Sequence, residues 1–286
     1  MSGKWRWRWF LPVISLAALG GSAWADDAAV EAEYQAVLKS HGAALVTIRY
    51  VPKSPGSSGE LEGENEITGV MVEPTGLVLC SNTLLGGVRA RFREGPAVPT
   101  NIRVLVGEDT EGLPATFIAR DTELDLAWLQ IKEPGDRKFA DLDLAVAAKA
   151  GVKPRLGQRV LALGVMGRYF GREVLVSEGQ VAGRTHKPRE LYVVRGNLDT
   201  DPGLPIFATD GQLVGFACLQ QPEAEEFAGS PANMLARGRG LVLPAETVAK
   251  ATARAKEVQS TGDTEPNSTD HEKAKPPGDK PEGDGG

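Results

Sequence analysis

The sequence contains few cysteines and few histidines. Among its 286 residues there are two cysteines and three histidines. Two cysteines cannot form the dense disulfide framework of a small stapled module. Cys80 and Cys218 both lie in apolar, strand-like runs, which predicts core residues; a bridge between them stays open, because pairing cannot be derived from sequence. Without a closely spaced set of His, Cys and carboxylate residues, we expect no metal and no cofactor.

Basic charge and long apolar runs are also scarce. The net charge is -6 at pH 7 and the pI is about 5.3. A nucleic-acid-binding surface needs a basic footprint, so we expect no nucleic-acid partner. No apolar run in the interior of the sequence is long enough to span a bilayer. The composition therefore favours a polypeptide or envelope protein as partner.

The first 25 residues have the pattern of a secretory signal peptide. Lys4, Arg6 and Arg8 precede the apolar run 10–19, and small residues then lead to Ala23-Trp24-Ala25. This pattern predicts cleavage after Ala25 and an exported, periplasmic or secreted protein without a membrane span in its mature form. An uncleaved anchor is the alternative, which the short apolar run disfavours.

The middle of the sequence alternates short β-type runs with turn signals. Apolar spacing over 30–38 predicts a helix that Asp26-Asp27 caps and His41-Gly42 ends, and a second helix is predicted over 244–258. The predicted strands cover 44–51, 67–72, 77–81, 102–106, 115–119 and 126–131, and then 159–163, 173–181, 191–194, 205–208, 213–219 and 240–243. Two groups of six strands, joined by the stretch 147–154, predict two all-β barrels.

The last residues are polar and charged. From 257 to 286 almost every residue is Gly, Pro, Ser, Thr, Lys, Asp or Glu. Such a composition buries too little apolar surface to offset the entropy of ordering, so we predict a disordered tail there.

Two segments of the first strand group carry a resemblance to a known family. The run 68–83, which ends in Ser81-Asn82-Thr83, resembles the hairpin that presents the catalytic histidine in trypsin-like serine proteases of the HtrA/DegP-like group. The run 119–129 resembles the segment with the catalytic aspartate in an Asp-Leu-Ala context, which is Asp125 here. On this resemblance Thr83 occupies the histidine position.

The resemblance continues through 156–164, 176–181 and 240–244 and covers about residues 30–251. It implies a domain over 26–256 with two six-stranded Greek-key β-barrels of the trypsin-like (chymotrypsin) fold, over about 43–145 and 155–245, and short N- and C-terminal helices. The family activity is that of a serine endopeptidase. The PDZ module common in the family is expected to be absent, and homo-oligomerisation is left open.

The serine loop of the family reads Gly-Asn-Ser-Gly-Gly-Pro, and the corresponding run here begins at Thr200 and ends at Pro205. On this alignment Pro202 occupies the serine position. Thr200, Asp201 and Gly203 occupy the region that holds the oxyanion in the family. Pro202 also restrains Asp201 toward an extended conformation, so we expect the oxyanion pocket not to form.

These substitutions remove most of the chemistry of acyl transfer. The reaction needs a hydroxyl, an imidazole base, a carboxylate and N–H donors for the oxyanion, and of the three side chains Asp125 alone remains. Thr83 has no group that titrates near neutral pH. Pro202 has neither a hydroxyl nor an N–H. Without an imidazole, we expect Asp125 to hydrogen-bond backbone or hydroxyl groups such as those of Thr83.

The sequence therefore predicts a catalytically inactive pseudoprotease that binds a polypeptide in the cell envelope. One alternative is a serine-type endopeptidase with weak or unconventional activity, and another is a scaffold that assembles with an envelope protein. A thiolate nucleophile at Cys218 is a further enzymatic alternative, which the lack of a nearby base disfavours.

Overall fold

A computed structural model describes residues 22–53, 63–86, 98–220 and 240–262. These residues form two closed antiparallel barrels of six strands each, with helices at both ends of the described chain. The two-barrel, mainly β fold predicted from the sequence is confirmed. Barrel closure pairs every strand on both sides and so leaves no open sheet edge.

The first barrel, barrel 1, contains β1 (Leu45–Lys53), β2 (Asn65–Glu73), β3 (Leu77–Ser81), β4 (Val98–Val106), β5 (Leu113–Asp121) and β6 (Leu126–Ile131). Its strand order around the barrel is β1-β2-β3-β6-β5-β4. A tight turn joins β2 to β3, where the N–H of Gly76 donates to Glu73 O at 3.1 Å. Gly76 has φ +94°, a conformation that favours glycine.

The second barrel, barrel 2, contains β7 (Arg159–Val165), β8 (Val174–Thr185), β9 (Leu191–Asn197), β10 (Pro205–Ala208), β11 (Leu213–Cys218) and β12 (Leu241–Pro244). Its order, β7-β8-β9-β12-β11-β10, repeats that of barrel 1. A hairpin turn at Asp210-Gly211 joins β10 to β11, and Gly211 donates its N–H to Ala208 O at 2.9 Å.

The buried apolar side chains form three clusters. One fills barrel 1 and includes Ile48 and Cys80, and another fills barrel 2 and includes Ile206. The third lies between the barrels and the helices, where Trp128 and Cys218 are members. Both cysteines are buried and free. They belong to different clusters.

The terminal helices pack on the cluster between the barrels. Helix α1 (Ser22–His41) ends as predicted, but it begins at Ser22 rather than at Asp26-Asp27, because the alanines there favour a continuous helix. Within the predicted apolar spacing 30–38, the side chains of Tyr34, Val37 and Leu38 contact the cluster. Residues 1–21 of the predicted signal peptide lie outside the described part of the chain. Residues 22–25, with the predicted cleavage site after Ala25, belong to α1, and cleavage stays a prediction.

Three further helices differ from the sequence prediction in length or existence. They are α2 (Asn82–Leu85), α3 (Leu144–Ala150) and α4 (Ala245–Gly262). Helix α4 extends four residues past its predicted end at 258, and so takes in the start of the predicted tail; residues 263–286 lie outside the described part. Helix α3, which was not predicted, starts at a cap where Asp143 Oδ1 accepts the N–H of Val146 at 2.9 Å. No helix within the described ranges is long and apolar enough to cross a bilayer.

Candidate functional site

Asp125 is held at the tight turn between β5 and β6. The turn forms because Asp121 Oδ1 accepts the N–H groups of Glu123 and Leu124 at 3.1 and 2.9 Å. Asp125 follows with φ +59°, a left-handed conformation that is uncommon for residues other than glycine. The residue is 3% exposed. The turn therefore directs a buried carboxylate into the interior, where it must find hydrogen-bond donors.

The Asp125 carboxylate has three donors. Its Oδ1 accepts the backbone N–H of Thr83 at 2.8 Å, and its Oδ2 accepts the hydroxyl of Ser81 at 3.0 Å. The backbone N–H of Leu219 donates to Oδ2 at 3.3 Å from the chain that follows β11. Asp125 thus connects barrel 1 to barrel 2 through backbone and hydroxyl groups.

Thr83 lies in α2, directly after β3. Ser81 caps this helix, and its Oγ accepts the N–H of Leu84 at 3.2 Å. Asp125 supports the same turn, because its backbone oxygen accepts the N–H of Asn82 at 3.1 Å. Thr83 is half-buried, and it contributes its backbone N–H to Asp125. The side chain at this predicted histidine position therefore has no proton acceptor of useful basicity.

The Pro202 loop precedes β10 and is pressed against barrel 1. Gly203 has φ +89°, and a Cβ atom on it would lie 2.5 Å from the backbone N of Ser81. This close approach brings the loop beside Ser81, which contacts Asp125. The structure thus gathers the predicted positions Thr83, Asp125 and Pro202 around one junction of the two barrels.

Two N–H groups of this loop donate to backbone acceptors. Gly203 donates to Ala217 O at 2.6 Å, and Leu204 donates to Asp201 O at 3.2 Å. The Thr200 hydroxyl donates to Leu163 O at 2.9 Å, which ties the start of the loop to β7. Pro202 has no N–H to offer. These bonds stabilise the loop as part of the barrel and leave it few donors for a developing oxyanion.

Asp201 is the ionisable residue of the loop. It is exposed at its outer edge, yet partial burial of its carboxyl raises the pKa, and the neighbouring charge of Asp199 raises it further. A carboxyl whose pKa rises through a like charge favours the neutral form. Whether neutral or ionised, the Asp201 carboxyl adds none of the positive potential that an oxyanion would need.

The histidines of the described chain lie away from this junction. His41 stacks on Phe207 with ring centroids 4.4 Å apart, and its Nε2 lies 3.1 Å from Gly211 O. Burial lowers the pKa of His41. His186 is exposed in the loop between β8 and β9, and His271 lies outside the described residues. Neither described histidine hydrogen-bonds Asp125.

The thiols are poor nucleophiles in their surroundings. Burial raises the pKa of Cys218 to about 12, and the nearby charge of Asp125 contributes. Burial, followed by the same charge, also raises the pKa of Cys80. The thiolate is the reactive form of cysteine, so both residues act here as small apolar side chains.

Sequence reasoning does not find two of the groups that hold Asp125. Ser81 does not match the nucleophile position of the family, yet a Ser two residues before Thr83 and directly before a helix is a recognisable N-cap signal. The N–H of Leu219 leaves no signal in the sequence, because this contact depends on how the two barrels meet.

Comparison with known proteins agrees with the geometry. A sequence model of the trypsin-like peptidase domain matches residues 67–216, which is slightly more than half of the chain. The match begins in β2, runs through both barrels and ends in β11, so it includes Thr83, Asp125 and Pro202. No curated protein matches the chain. With two closed six-stranded barrels and this match, the chain belongs to the trypsin-like peptidase family.

Proposed function

We propose that this protein is a pseudoprotease of the HtrA-like group: a trypsin-like scaffold that binds a polypeptide in the cell envelope and does not cleave it. The observation that carries the proposal is the bonding of Asp125. Its carboxylate takes donors from the Thr83 backbone, the Ser81 hydroxyl and the Leu219 backbone. A carboxylate satisfied in this way stabilises the fold without orienting an imidazole base.

The nucleophile side supports the same conclusion. Pro202 has neither a hydroxyl to attack a carbonyl nor an N–H to stabilise the oxyanion, and the N–H of Gly203 already donates to Ala217 O. Loss of a single oxyanion donor lowers the rate by about 10²- to 10³-fold, and loss of the nucleophile or base lowers it further. These losses together leave no ordinary route to acyl transfer.

Substitute nucleophiles have equally poor support. The Ser81 hydroxyl is fully buried, donates to Asp125 and accepts the N–H of Leu84. The Cys218 thiol is buried with a pKa raised to about 12. An activated nucleophile needs exposure and an adjacent base or a lowered pKa, and neither residue has them.

Polypeptide binding is favoured because the fold persists while its chemistry is lost. Core packing does not depend on the catalytic side chains, and the junction around Thr83 and Pro202 remains at the surface, where both residues are half-buried. The location in the cell envelope rests on the basic, apolar and small-residue pattern of residues 1–25. The role as an assembly scaffold is the related second possibility.

Catalysis is tested with the purified mature protein, unfolded casein and a fluorophosphonate probe. We expect neither cleavage nor labelling. A triple variant, Thr83→His, Pro202→Ser, Thr200→Gly, is assayed in parallel. It tests whether the fold can cleave a peptide bond once a histidine, a serine and a glycine stand at the predicted catalytic positions. Cleavage or labelling by the unaltered protein would make it an endopeptidase and overturn the proposal.

Binding is tested by fluorescence anisotropy with labelled, reduced casein as the probe. Thr83→Arg fills the junction but keeps the backbone N–H that Asp125 accepts, so the variant should fold; Thr110→Arg places the same side chain on an exposed turn. We expect Thr83→Arg to weaken binding by about fivefold or more and Thr110→Arg to leave it unchanged. Equal affinities for both variants would remove the junction as the binding site.

A further inference from the structure

A second recess lies where α1, barrel 1 and barrel 2 meet. It has a volume of about 540 Å³. Its walls are apolar and come from all three parts of the fold; they include Leu38, Leu45, Val106, Phe139, Val165 and Val174. None of the lining residues occupies a position of the degenerate triad or its loop. We call this feature the basic recess, for the charges described next.

The charged residues that line the basic recess are all cations: Lys39, Lys138 and Arg172. Among the described residues that line the recess there is no aspartate or glutamate, although the protein as a whole has a net charge of -6. Lys39 and Lys138 are exposed, and neither forms an ion pair within the described ranges. The recess therefore has a local excess of positive charge above an apolar floor.

Arg172, one of the lining residues, connects the two barrels through an ion pair. Its guanidinium donates to both carboxylate oxygens of Glu66 at 2.8 and 3.1 Å, which joins barrel 2 to barrel 1. Burial favours a raised pKa for Glu66, but the hydrogen bonds from Arg172 and Arg49 outweigh it and lower the pKa. The Nε of Arg172 is buried without a partner in the described part of the chain. A buried donor without an acceptor is costly.

The loop that leads to Arg172 carries unusually exposed apolar side chains. Tyr169 is 92% exposed, Phe170 is 57% exposed and Met166 is 37% exposed. Exposed aromatic and methionine side chains beside an arginine are typical of surfaces that bind other proteins. The loop runs between Val165 and Arg172, two of the residues that line the recess.

We propose that the basic recess binds a polypeptide segment in which Asp or Glu residues flank an apolar side chain. The apolar side chain enters the recess, and its carboxylate neighbours pair with Lys39 and Lys138. Charge complementarity of this kind speeds encounter and fixes the register of a bound segment. The apolar walls form a concave space between three elements, which suits a single inserted side chain better than the flat surface of a bilayer. The site is separate from the triad junction and goes beyond the function proposed there.

The proposal is tested by fluorescence anisotropy with a fluorescein-labelled peptide of alternating Glu and Leu. Two further peptides, with Ser in place of Leu and with Lys in place of Glu, separate the apolar and charged contributions. We expect the Glu-Leu peptide to bind at least about tenfold more tightly than either control, and its affinity to fall with added salt because the lysines are exposed.

Variants of the protein locate the binding. The Lys39→Glu, Lys138→Glu double variant should weaken binding of the Glu-Leu peptide about tenfold. The Lys132→Glu, Lys149→Glu double variant changes two exposed lysines that do not line the recess and has the same net charge, so we expect less than about a twofold change. Ala43→Trp places an indole at an exposed lining position and should block binding without any change of charge.

Three outcomes would overturn the inference. One is an equal loss of affinity in the two lysine double variants, which would indicate attraction by overall charge. Another is equal affinity for the Leu and Ser peptides, which would show that the apolar side chains of the recess do not contribute to binding. The third is binding to anionic phospholipid vesicles with no binding of the Glu-Leu peptide, which would make the surface a membrane contact. Because none of these assays uses casein or the triad junction, they are independent of the test of pseudoprotease function.

Discussion

The Oδ1 atom of Asp125 accepts a hydrogen bond from the backbone N–H of Thr83 at 2.8 Å. Because the donor is a backbone group, every residue except proline at position 83 can make this bond. The side chain at 83 is therefore free to vary without loss of the fold, whereas the carboxylate at 125 is not. This asymmetry is consistent with the proposed alignment, in which an aspartate stands at 125 and a threonine at the predicted histidine position 83.

Asp125→Ala should destabilise the protein by about 3 kcal/mol, because it leaves the Ser81 hydroxyl and the Thr83 and Leu219 N–H groups without their acceptor. Alanine also tolerates the φ of +59° poorly. Urea unfolding monitored by circular dichroism measures the loss.

Asn is better tolerated at left-handed positions and keeps one acceptor oxygen, so Asp125→Asn should lower the stability less than Asp125→Ala. Thr83→Ala, which keeps the backbone donor, should cost less than about 1 kcal/mol; a cost as large as that of Asp125→Ala would refute the structural role of the carboxylate.

Gly203→Ala should destabilise the protein by about 3 kcal/mol, since the new Cβ would lie 2.5 Å from the Ser81 nitrogen at φ +89°. Gly107→Ala is the matched control, because Gly107 also has a positive φ, +59°, but a Cβ on it would have no atom within 4 Å. The control should cost about 1 kcal/mol from backbone strain alone. Thermal unfolding of the two variants measures the difference, and similar melting temperatures would show that the Pro202 loop is not packed tightly on barrel 1.

Thiol titration with Ellman's reagent should detect no reactive thiol in the native protein and two in urea. Cys80 and Cys218 are buried and free, and burial, with the charge of Asp125, raises the pKa of both. The measurement needs no reductant and no substitution. Rapid reaction of one thiol in the native state would revive Cys218 as a nucleophile, and no reaction in urea would indicate a disulfide.

The strands were predictable because local pattern and tertiary structure agree there. Apolar runs bounded by turn residues gave β6 as 126–131 and β10 as 205–208, which coincide with the structure. Helices α2 and α3 have four and seven residues, which is too short for a helical period to emerge from a sequence. Their caps, Ser81 and Asp143, were the available signals.

The sequence indicates which residues lie at the candidate site, but it does not indicate all of their hydrogen bonds. The sequence frame located Thr83, Asp125 and Pro202, and the structure gathers them at one junction. The bond from the Leu219 N–H to Asp125 joins residues 94 positions apart, and no sequence pattern encodes a contact of that kind. The basic recess was missed for the same reason, because its three cations come from α1, barrel 2 and the segment between the barrels.

His41 should make the stability of the protein depend on pH between about 5 and 7. Burial against Phe207 lowers its pKa, so as the pH falls through about 6.5 the unfolded chain takes up a proton before the folded one. Stability is therefore highest above this pH and declines as the pH falls toward the lowered pKa.

His41→Phe removes the titration but keeps an aromatic ring against Phe207. The variant should lose about 1 kcal/mol at pH 7 with the contact to Gly211 O, and its stability should change less with pH. Urea unfolding at pH 5, 6 and 7 measures both slopes, with His186→Phe, at an exposed position, as the control that should keep the slope of the unaltered protein. Equal slopes for His41→Phe and the unaltered protein would assign the pH dependence to other groups.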